Sequence, residues 1–156
     1  MSPRVLVVDD EESLRHMLSL ALSKAGYAVW TASSGEEALE VIRRSEPFDF
    51  CLTDVRMPGM DGLTFIGEAL RLGRGKPTYV AMSAYGDEQL AVEALRRGAF
   101  DYVSKPFEPE ALRLKLKVLE ERRRQSSESG ATAPGRPAQR ASEIVAASWA
   151  MRSIIQ

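Results

Sequence analysis

The sequence predicts an α/β fold, a doubly wound five-stranded parallel sheet with an extended C-terminal helix. Short apolar runs alternate five times with segments in which apolar residues recur at helical spacing. This alternation is typical of parallel sheets that carry helices on both faces. Because ligands bind such sheets at the carboxyl ends of the strands, the polar residues that follow each strand are the candidates for function.

The strands are predicted from runs of aliphatic, β-branched and aromatic residues with polar or turn residues on either side. The first run has no polar interruption, as in strands that are buried on both faces. The third run leads directly into an aspartate. The five predicted strands span residues 5–8, 28–32, 48–53, 78–82 and 101–103.

The helices are predicted from apolar spacing and from residues that favour helix ends. Ser34 and Glu37 form a capping-box pattern before the second helix. Gly26 and Gly98 end the first and fourth helices, and Pro109 suits the first position of the last one. The apolar positions are Leu14, Met17, Leu18, Ala21 and Leu22 in the first helix, Ala38, Leu39 and Ile42 in the second, Leu63, Ile66 and Leu70 in the third, Leu90, Val92 and Leu95 in the fourth, and Leu112, Leu116 and Leu119 in the last.

The chain is organised as one domain followed by a tail. We predict the α/β domain over residues 1–119, a helix extension and flexible linker over 120–141, and the start of a following domain over 142–156. The linker prediction rests on the Ser, Gly, Ala, Pro and Arg residues that dominate 125–140. The segment 144–156 is apolar but too short to fold alone, so we expect the chain to stop just inside that next domain.

Composition argues against several classes of protein. The formal net charge of -1 provides no global basic field for nucleic acid. Cys51 is the single cysteine, which excludes an internal disulfide framework and suits a reducing cytoplasm. No apolar stretch approaches the roughly 18 residues of a membrane helix, and we expect no signal peptide and no membrane partner.

Acidic residues follow two of the predicted strands. Asp9 and Asp10 come directly after the first strand, and Asp54 follows the third. Since these strand ends are neighbours in this fold, we expect three carboxylates to converge, which is costly unless a cation neutralises them. Carboxylates with open positions suit Mg²⁺. The alternative is that the acids simply favour a helix start, which leaves Asp54 unexplained.

Two other strand ends also carry polar residues. Ser83 ends the fourth strand, and Lys105 followed by Pro106 comes after the fifth. Either residue alone is more often structural. Together, at separate strand ends beside an acidic cluster, a lysine and a hydroxyl indicate a site that handles a phosphate group.

Four segments resemble the receiver domain of bacterial two-component response regulators. They are VLVVDD at 5–10, TDVRMPGMDG at 53–62, MSA at 82–84 and YVSKPF at 102–107. Each is weak alone, but jointly they are specific. The resemblance covers roughly residues 4–119. It implies a flavodoxin-like receiver fold and a cytoplasmic phosphorylation switch that is supplied by a sensor histidine kinase.

The resemblance implies a chemical role for each matching residue. Asp54 is the expected phosphoacceptor. Asp10, Asp54 and the backbone carbonyl of Arg56 are expected to bind Mg²⁺, and Asp9 is expected to act on the ion through water. Lys105 is expected to pair with the phosphoryl group. The domain would then catalyse only its own phosphorylation and slow dephosphorylation, and would not be an enzyme for other substrates.

The resemblance also implies how the signal spreads. Ser83 and Tyr102 are the expected switch residues, and the Lys105–Pro106 peptide bond is expected to be cis. Arg56 and Tyr85 stand at positions that tune the lifetime of the phosphoryl group. Their bulk predicts shielding of the site and a long-lived phosphorylated form.

Partners follow from the same resemblance. We expect a homodimer through the fourth helix, fifth strand and fifth helix, or through the linker helix. The tail at 144–156 resembles the start of the ATPase domain of sigma-54-dependent, nitrogen-regulation type activators, although Ala146 and Ser148-Trp149 depart from the usual Gly and Ser-Pro. The output would then be transcription activation, with DNA bound only by a further C-terminal domain.

Other interpretations fit less well. A dinucleotide-binding enzyme needs a glycine-rich turn after the first strand, where this chain has DDEES at 9–13. A phosphatase with an aspartate nucleophile places a second acid two residues later, where this chain has Arg56. A degenerate receiver that acts only as a protein-interaction module stays open, although the intact acid set and Lys105 argue against it.

Overall fold

The computed structural model describes residues 2–128. Strands and helices alternate along the chain as the apolar pattern predicts. The predicted linker residues 129–141 and the predicted following domain at 142–156 lie outside the described residues. The elements are β1 (Arg4–Val8), α1 (Glu12–Lys24), β2 (Ala28–Ala32), α2 (Gly35–Arg44), β3 (Phe50–Asp54), α3 (Gly62–Leu72), β4 (Thr78–Ser83), α4 (Glu88–Arg97), β5 (Asp101–Ser104) and α5 (Pro109–Glu128).

The five strands form one parallel sheet in the order β2-β1-β3-β4-β5. This confirms the doubly wound, flavodoxin-like fold. The strand order reverses direction at β1, which has β2 on one side and β3 on the other. Val8 pairs with Thr53 in the β1–β3 register, so the residues that follow them leave the sheet side by side. Such a switch point is where doubly wound sheets bind ligands.

The core lies around the two central strands. Every residue of β3 is buried, and so are the four residues of β1 from 5 to 8. Strands covered by helices on both faces have no solvated side, which is why their sequences lack the polar alternation of an exposed strand. The buried strands hold the polar strand ends in fixed positions.

The helix ends follow the predicted signals, with one difference. The Ser34 hydroxyl accepts a hydrogen bond from the Glu37 backbone N at 3.1 Å, as in a capping box. The Glu37 carboxylate, however, accepts from the backbone N of Ser33 at 2.7 Å and from the Ser33 hydroxyl at 2.8 Å. The acid therefore ties the helix to the residue before the cap. Gly98 follows α4 with a φ of 129°, and Pro109 begins α5, as predicted.

The apolar face of α4 differs from the expectation of large aliphatic side chains in the core. Val92 is 48% exposed and Leu95 is 37% exposed, whereas Ala91 and Ala94 are fully buried. The helix lies against β4 and α3, and alanines on the inner face allow a close approach of the backbones. Val92 and Leu95 face outward as a result, whereas Leu90 is partly buried and packs against the core, as predicted. Leu70 of α3 is also exposed.

The described residues divide within α5 into two compact units, the first ending at Arg113 and the second starting at Leu114. Helix α5 runs on to residue 128, which confirms the extended C-terminal helix. In the second unit, Leu116 and Leu119 are buried while Leu114 and Val118 are exposed. The domain limit at residue 119 stays a prediction. No helix among residues 2–128 is both long and apolar enough to span a membrane.

Candidate functional site

Three carboxylates meet where β1 and β3 end. Oxygens from Asp9, Asp10 and Asp54 all lie within 4.8 Å of one another. Asp9 and Asp54 are buried, whereas Asp10 is exposed. The convergence that the strand pattern predicts is therefore present, and it results from the parallel pairing of β1 with β3.

Hydrogen bonds fix both the carboxylate and the backbone of Asp9. Its carboxylate accepts hydrogen bonds from the Glu11 backbone N at 2.9 Å and from Lys105 Nζ at 2.8 Å. Its backbone N donates to Ala32 O at 3.1 Å, and its backbone O accepts from Arg15 Nη1 at 2.8 Å. These contacts fix the buried Asp9 carboxylate in place, and its expected role at a cation through water stays a prediction.

The Asp54 carboxylate also accepts two hydrogen bonds. Oδ1 accepts from the Arg56 backbone N at 3.2 Å, and Oδ2 accepts from Lys105 Nζ at 3.2 Å. Burial, followed by the negative charge of Asp9, raises the pKa of Asp54 despite these two donors. The local charge therefore favours a further cation or electrophile at this carboxylate.

Lys105 bridges the two buried acids from the end of β5. Its backbone N donates to Ser83 O at 2.7 Å, which aligns the lysine with the end of β4. The Lys105–Pro106 peptide bond is cis, as expected. Burial acts to lower the pKa of Lys105, but its bond to Asp9 and the charges of Asp9 and Asp54 outweigh burial and raise it. Nζ is therefore a fixed ammonium group.

Ser83 presents a buried hydroxyl beside this lysine. Its Oγ has no hydrogen-bond partner among residues 2–128. A buried polar group without a partner costs about 1–3 kcal/mol, so this hydroxyl is available to a group that binds at the site. Tyr102, on the neighbouring strand, is half-buried and packs against the core.

Arg56 and Tyr85 stand at the rim. The Arg56 guanidinium forms an ion pair with Asp87, in which Nη2 lies 3.0 Å from Oδ1. The Tyr85 side chain is 94% exposed. The Arg56 side chain is 69% exposed, and shielding of Asp54 by these two residues stays a prediction. The long phosphoryl lifetime stays a prediction.

Gly62 brings α3 against the back of the site. A Cβ added at this position would overlap the backbone O of Asp54 and would lie 2.8 Å from Cα of Val55. Its backbone N donates to Val55 O at 3.0 Å. Only a residue without a side chain permits this approach, which explains the glycine eight residues after Asp54.

The donor set fits a small divalent cation. Two carboxylates with free lone pairs, supported by a third acid, match the hard oxygen ligands and partial hydration that Mg²⁺ prefers. One lysine cannot neutralise three carboxylates. Burial, and after it the negative charge of Asp9, raises the pKa of Asp54.

Comparison with known proteins decides the family. Residues 5–117 match the model of the response regulator receiver domain. This chain belongs to the response regulator receiver domain family. The resemblance carried by the motifs is thereby confirmed.

Among curated proteins, the receiver domain is 43% identical over 111 residues to the regulatory protein AtoC of Escherichia coli, covering 71% of this chain and 24% of AtoC. It is 42% identical over 104 residues to the DNA-binding transcriptional regulator NtrC of the same species, covering 67% of this chain and 22% of NtrC. The chain thus spans about a quarter of these relatives.

Among solved structures, NtrX from Brucella abortus, crystallised in complex with ADP, superposes with a TM-score of 0.75 at 31% identity. The match covers 88% of this chain and 31% of NtrX. This agrees with the receiver fold.

The receiver's contacts also include two residues that the motifs do not indicate. Arg15 Nη1 donates to the backbone oxygen of Asp9, a contact that side-chain motifs cannot predict. Asp87 precedes a helix and its position predicts a cap, yet its carboxylate bonds Arg56. Sequence spacing could not distinguish these partners.

Proposed function

We propose that this receiver domain takes a phosphoryl group from a sensor histidine kinase onto Asp54. The observation that carries the proposal is the geometry of Asp54, a buried carboxylate 3.2 Å from a fixed ammonium group and within 4.8 Å of two other acids. The intact set of Asp9, Asp10, Asp54 and Lys105 supports a working site over a degenerate interaction module.

The transfer is an in-line displacement at phosphorus. A carboxylate oxygen of Asp54 forms a bond to phosphorus while the bond from phosphorus to the phosphohistidine nitrogen breaks, and the electron pair leaves with the imidazole. The product is an acyl phosphate on Asp54. Lys105 would pair with a phosphoryl oxygen, since charge spreads over these oxygens during transfer.

Asp10, Asp54 and the backbone carbonyl of Arg56 would hold Mg²⁺, with Asp9 acting through water. When bound, the ion supplies positive charge for the phosphoryl oxygens. The residues of this chain provide the rest. The Arg56 backbone N orients Asp54, and Lys105 offsets the charge of both buried acids.

Ser83 and Tyr102 would convert the modification into a change of shape. Phosphorylation adds charge and three acceptor oxygens, and the unpartnered Ser83 hydroxyl would donate to one of them. That movement would free space for Tyr102 to turn inward. The local charge change would then bias α4 and β5 between two arrangements.

The wider function rests on the relatives, and the chain covers only a quarter of them. We propose that this receiver is the cytoplasmic N-terminal part of a sigma-54-dependent activator and controls transcription through a further domain that binds DNA. We also propose a homodimer through the face of α4, β5 and α5, or through the linker helix. The exposed apolar residues of α4, and separately those of α5, support it: Val92, Leu95, Leu114 and Val118.

The direct test is phosphorylation with acetyl phosphate and Mg²⁺. We expect the mass of the wild-type protein to rise by one phosphoryl group and Asp54→Ala to stay unmodified. Asp101→Asn, at the opposite end of the sheet, should be modified normally. Equal labelling of wild type and Asp54→Ala would overturn the assignment, and an unmodified wild type would favour the interaction-module alternative.

A further inference from the structure

An ion pair links the loop that follows Asp54 to the start of α4. Arg56 Nε lies 3.2 and 3.3 Å from the two carboxylate oxygens of Asp87, and Nη2 lies 3.0 Å from one of them. The two residues are 31 positions apart. This forked contact therefore joins two loops that meet at the rim of the site.

Arg56 is also attached to the acceptor aspartate. Its backbone N donates to Asp54 Oδ1 at 3.2 Å. Its side chain is 69% exposed, whereas that of Asp87 is 12% exposed. The guanidinium is thus the more exposed partner of the pair, and the Arg56 backbone lies next to the carboxylate that would carry a phosphoryl group.

Asp87 holds the first turn of α4. Its backbone N donates to Ala84 O at 3.0 Å, and its backbone O accepts from the Ala91 N at 3.1 Å. It occupies the position before the helix, where an aspartate side chain ordinarily accepts a hydrogen bond from the second or third helical N–H. Here the side chain makes no such bond, and the backbone angles of −107° and 22° are not those of a usual cap.

The carboxylate of Asp87 can therefore serve Arg56 or cap α4, and this structure shows the first alternative. A phosphoryl group on Asp54 would offer Arg56 a competing acceptor with greater charge, which the planar guanidinium binds in the same forked manner. The departure of Arg56 would leave Asp87 free to turn toward the helix.

We propose that Arg56 and Asp87 form a partner-exchange latch, in which phosphorylation draws Arg56 to the phosphoryl group and releases Asp87 to cap α4. The trigger rests on the proposed phosphorylation of Asp54, whereas the latch itself exists in the unmodified protein. Asp87 is a positioning residue because it acts on α4 and not on the reacting atoms, whereas Arg56 contacts the phosphoryl group only after transfer.

Amide hydrogen exchange at Gln89 and Leu90 reports the cap directly, since these are the N–H groups that Asp87 would reach. In unmodified Arg56→Gln the released carboxylate should cap the helix and slow exchange at these amides by about two- to fivefold. Asp87→Asn, which keeps a capping oxygen, should do the same. Arg56→Lys should fall between wild type and Arg56→Gln.

Two variants separate the latch from a general change in α4. Asp87→Ala removes both alternatives and should not slow exchange, with or without beryllofluoride and Mg²⁺. Glu93→Gln breaks the 3.1 Å ion pair between Glu93 and Arg97 elsewhere on α4. It should leave exchange at Gln89 and Leu90 as in wild type and preserve the response to beryllofluoride.

The outcomes distinguish the two proposals. If unmodified Arg56→Gln and Asp87→Asn both exchange like wild type, the latch is wrong whatever happens at Asp54. If wild type takes up beryllofluoride without slower exchange at Gln89 and Leu90, partner exchange is wrong while phosphorylation stands. If wild type takes up no beryllofluoride, the proposed function fails. The unmodified variants still decide whether the latch exists.

Discussion

Lys105 Nζ lies 2.8 Å from Oδ2 of Asp9, closer than its 3.2 Å distance from the proposed phosphoacceptor Asp54. The lysine is thus held mainly by a fully buried acid that is itself fixed by three other hydrogen bonds. This arrangement leaves the charge of Asp54 only partly offset. It also makes Lys105 a stabilising residue of the unmodified domain.

Lys105→Met should lower the free energy of unfolding by about 2–4 kcal/mol without divalent cations, because it leaves the buried Asp9 carboxylate unpaired. Millimolar Mg²⁺ should restore part of this loss, since a more negative site binds the cation more tightly and binding stabilises the folded state. Urea denaturation with and without Mg²⁺ measures both effects. Lys24→Met, at the exposed end of α1, serves as the control. No stabilisation of either wild type or Lys105→Met by Mg²⁺ would contradict the proposed cation site.

Gly62→Ala should lower the free energy of unfolding by about 2–4 kcal/mol, because its Cβ would overlap the backbone behind Asp54. Gly67→Ala, in the same helix, meets no atom within 4 Å. It should be neutral or stabilising by up to about 1 kcal/mol, since alanine favours helix. Thermal or urea unfolding of the two variants compares them directly. Equal stabilities would show that α3 does not depend on this close approach.

Ser83→Ala should change the free energy of unfolding by no more than about 1 kcal/mol, because the deleted hydroxyl has no partner among residues 2–128. Loss of the hydroxyl should have a larger effect on the conformational response to phosphorylation. In Ser83→Ala the shift of the Tyr102 ring signals in NMR spectra after beryllofluoride treatment should shrink, whereas Ser83→Thr should retain it. A full Tyr102 shift in Ser83→Ala would remove Ser83 from the switch.

Glu37→Gln should destabilise the domain by about 0.5–1 kcal/mol at neutral pH, a small effect because the side chain is exposed and screened by solvent. Hydrogen bonds from the Ser33 backbone and hydroxyl lower the pKa of Glu37 from its ordinary 4.5. Its contribution is therefore complete above pH 4.5 and is lost as the pH falls through the lower value in the folded protein. Below that pH the free energies of unfolding of wild type and Glu37→Gln, measured from unfolding curves, should converge. Glu36→Gln, in the same turn, controls for the helix dipole.

The fold and most of the site could be predicted from the sequence because both depend on local patterns. Uninterrupted apolar runs identified β1 and β3 as buried, and parallel buried strands place their following residues at one edge. Asp9, Asp10 and Asp54 could therefore be placed together before any coordinate was known.

The buried face of α4 could not be predicted in the same way. Helical periodicity indicates which positions share a face, but it does not say whether alanines or larger residues lie inside. Close packing of α4 against β4 and α3 places Ala91 and Ala94 on the buried face. Val92 and Leu95 are exposed to solvent.

The sequence by itself determined the order of strands and helices, the receiver motifs and the residues at each strand end. Only the tertiary structure decided which partner each charged group has: Asp9 for Lys105, and Asp87 for Arg56. The physical reason is the distance along the chain over which each interaction acts. Periodicity and capping act within a few residues, whereas an ion pair forms only when folding brings its two groups within hydrogen-bonding distance, and several acids compete for each cation.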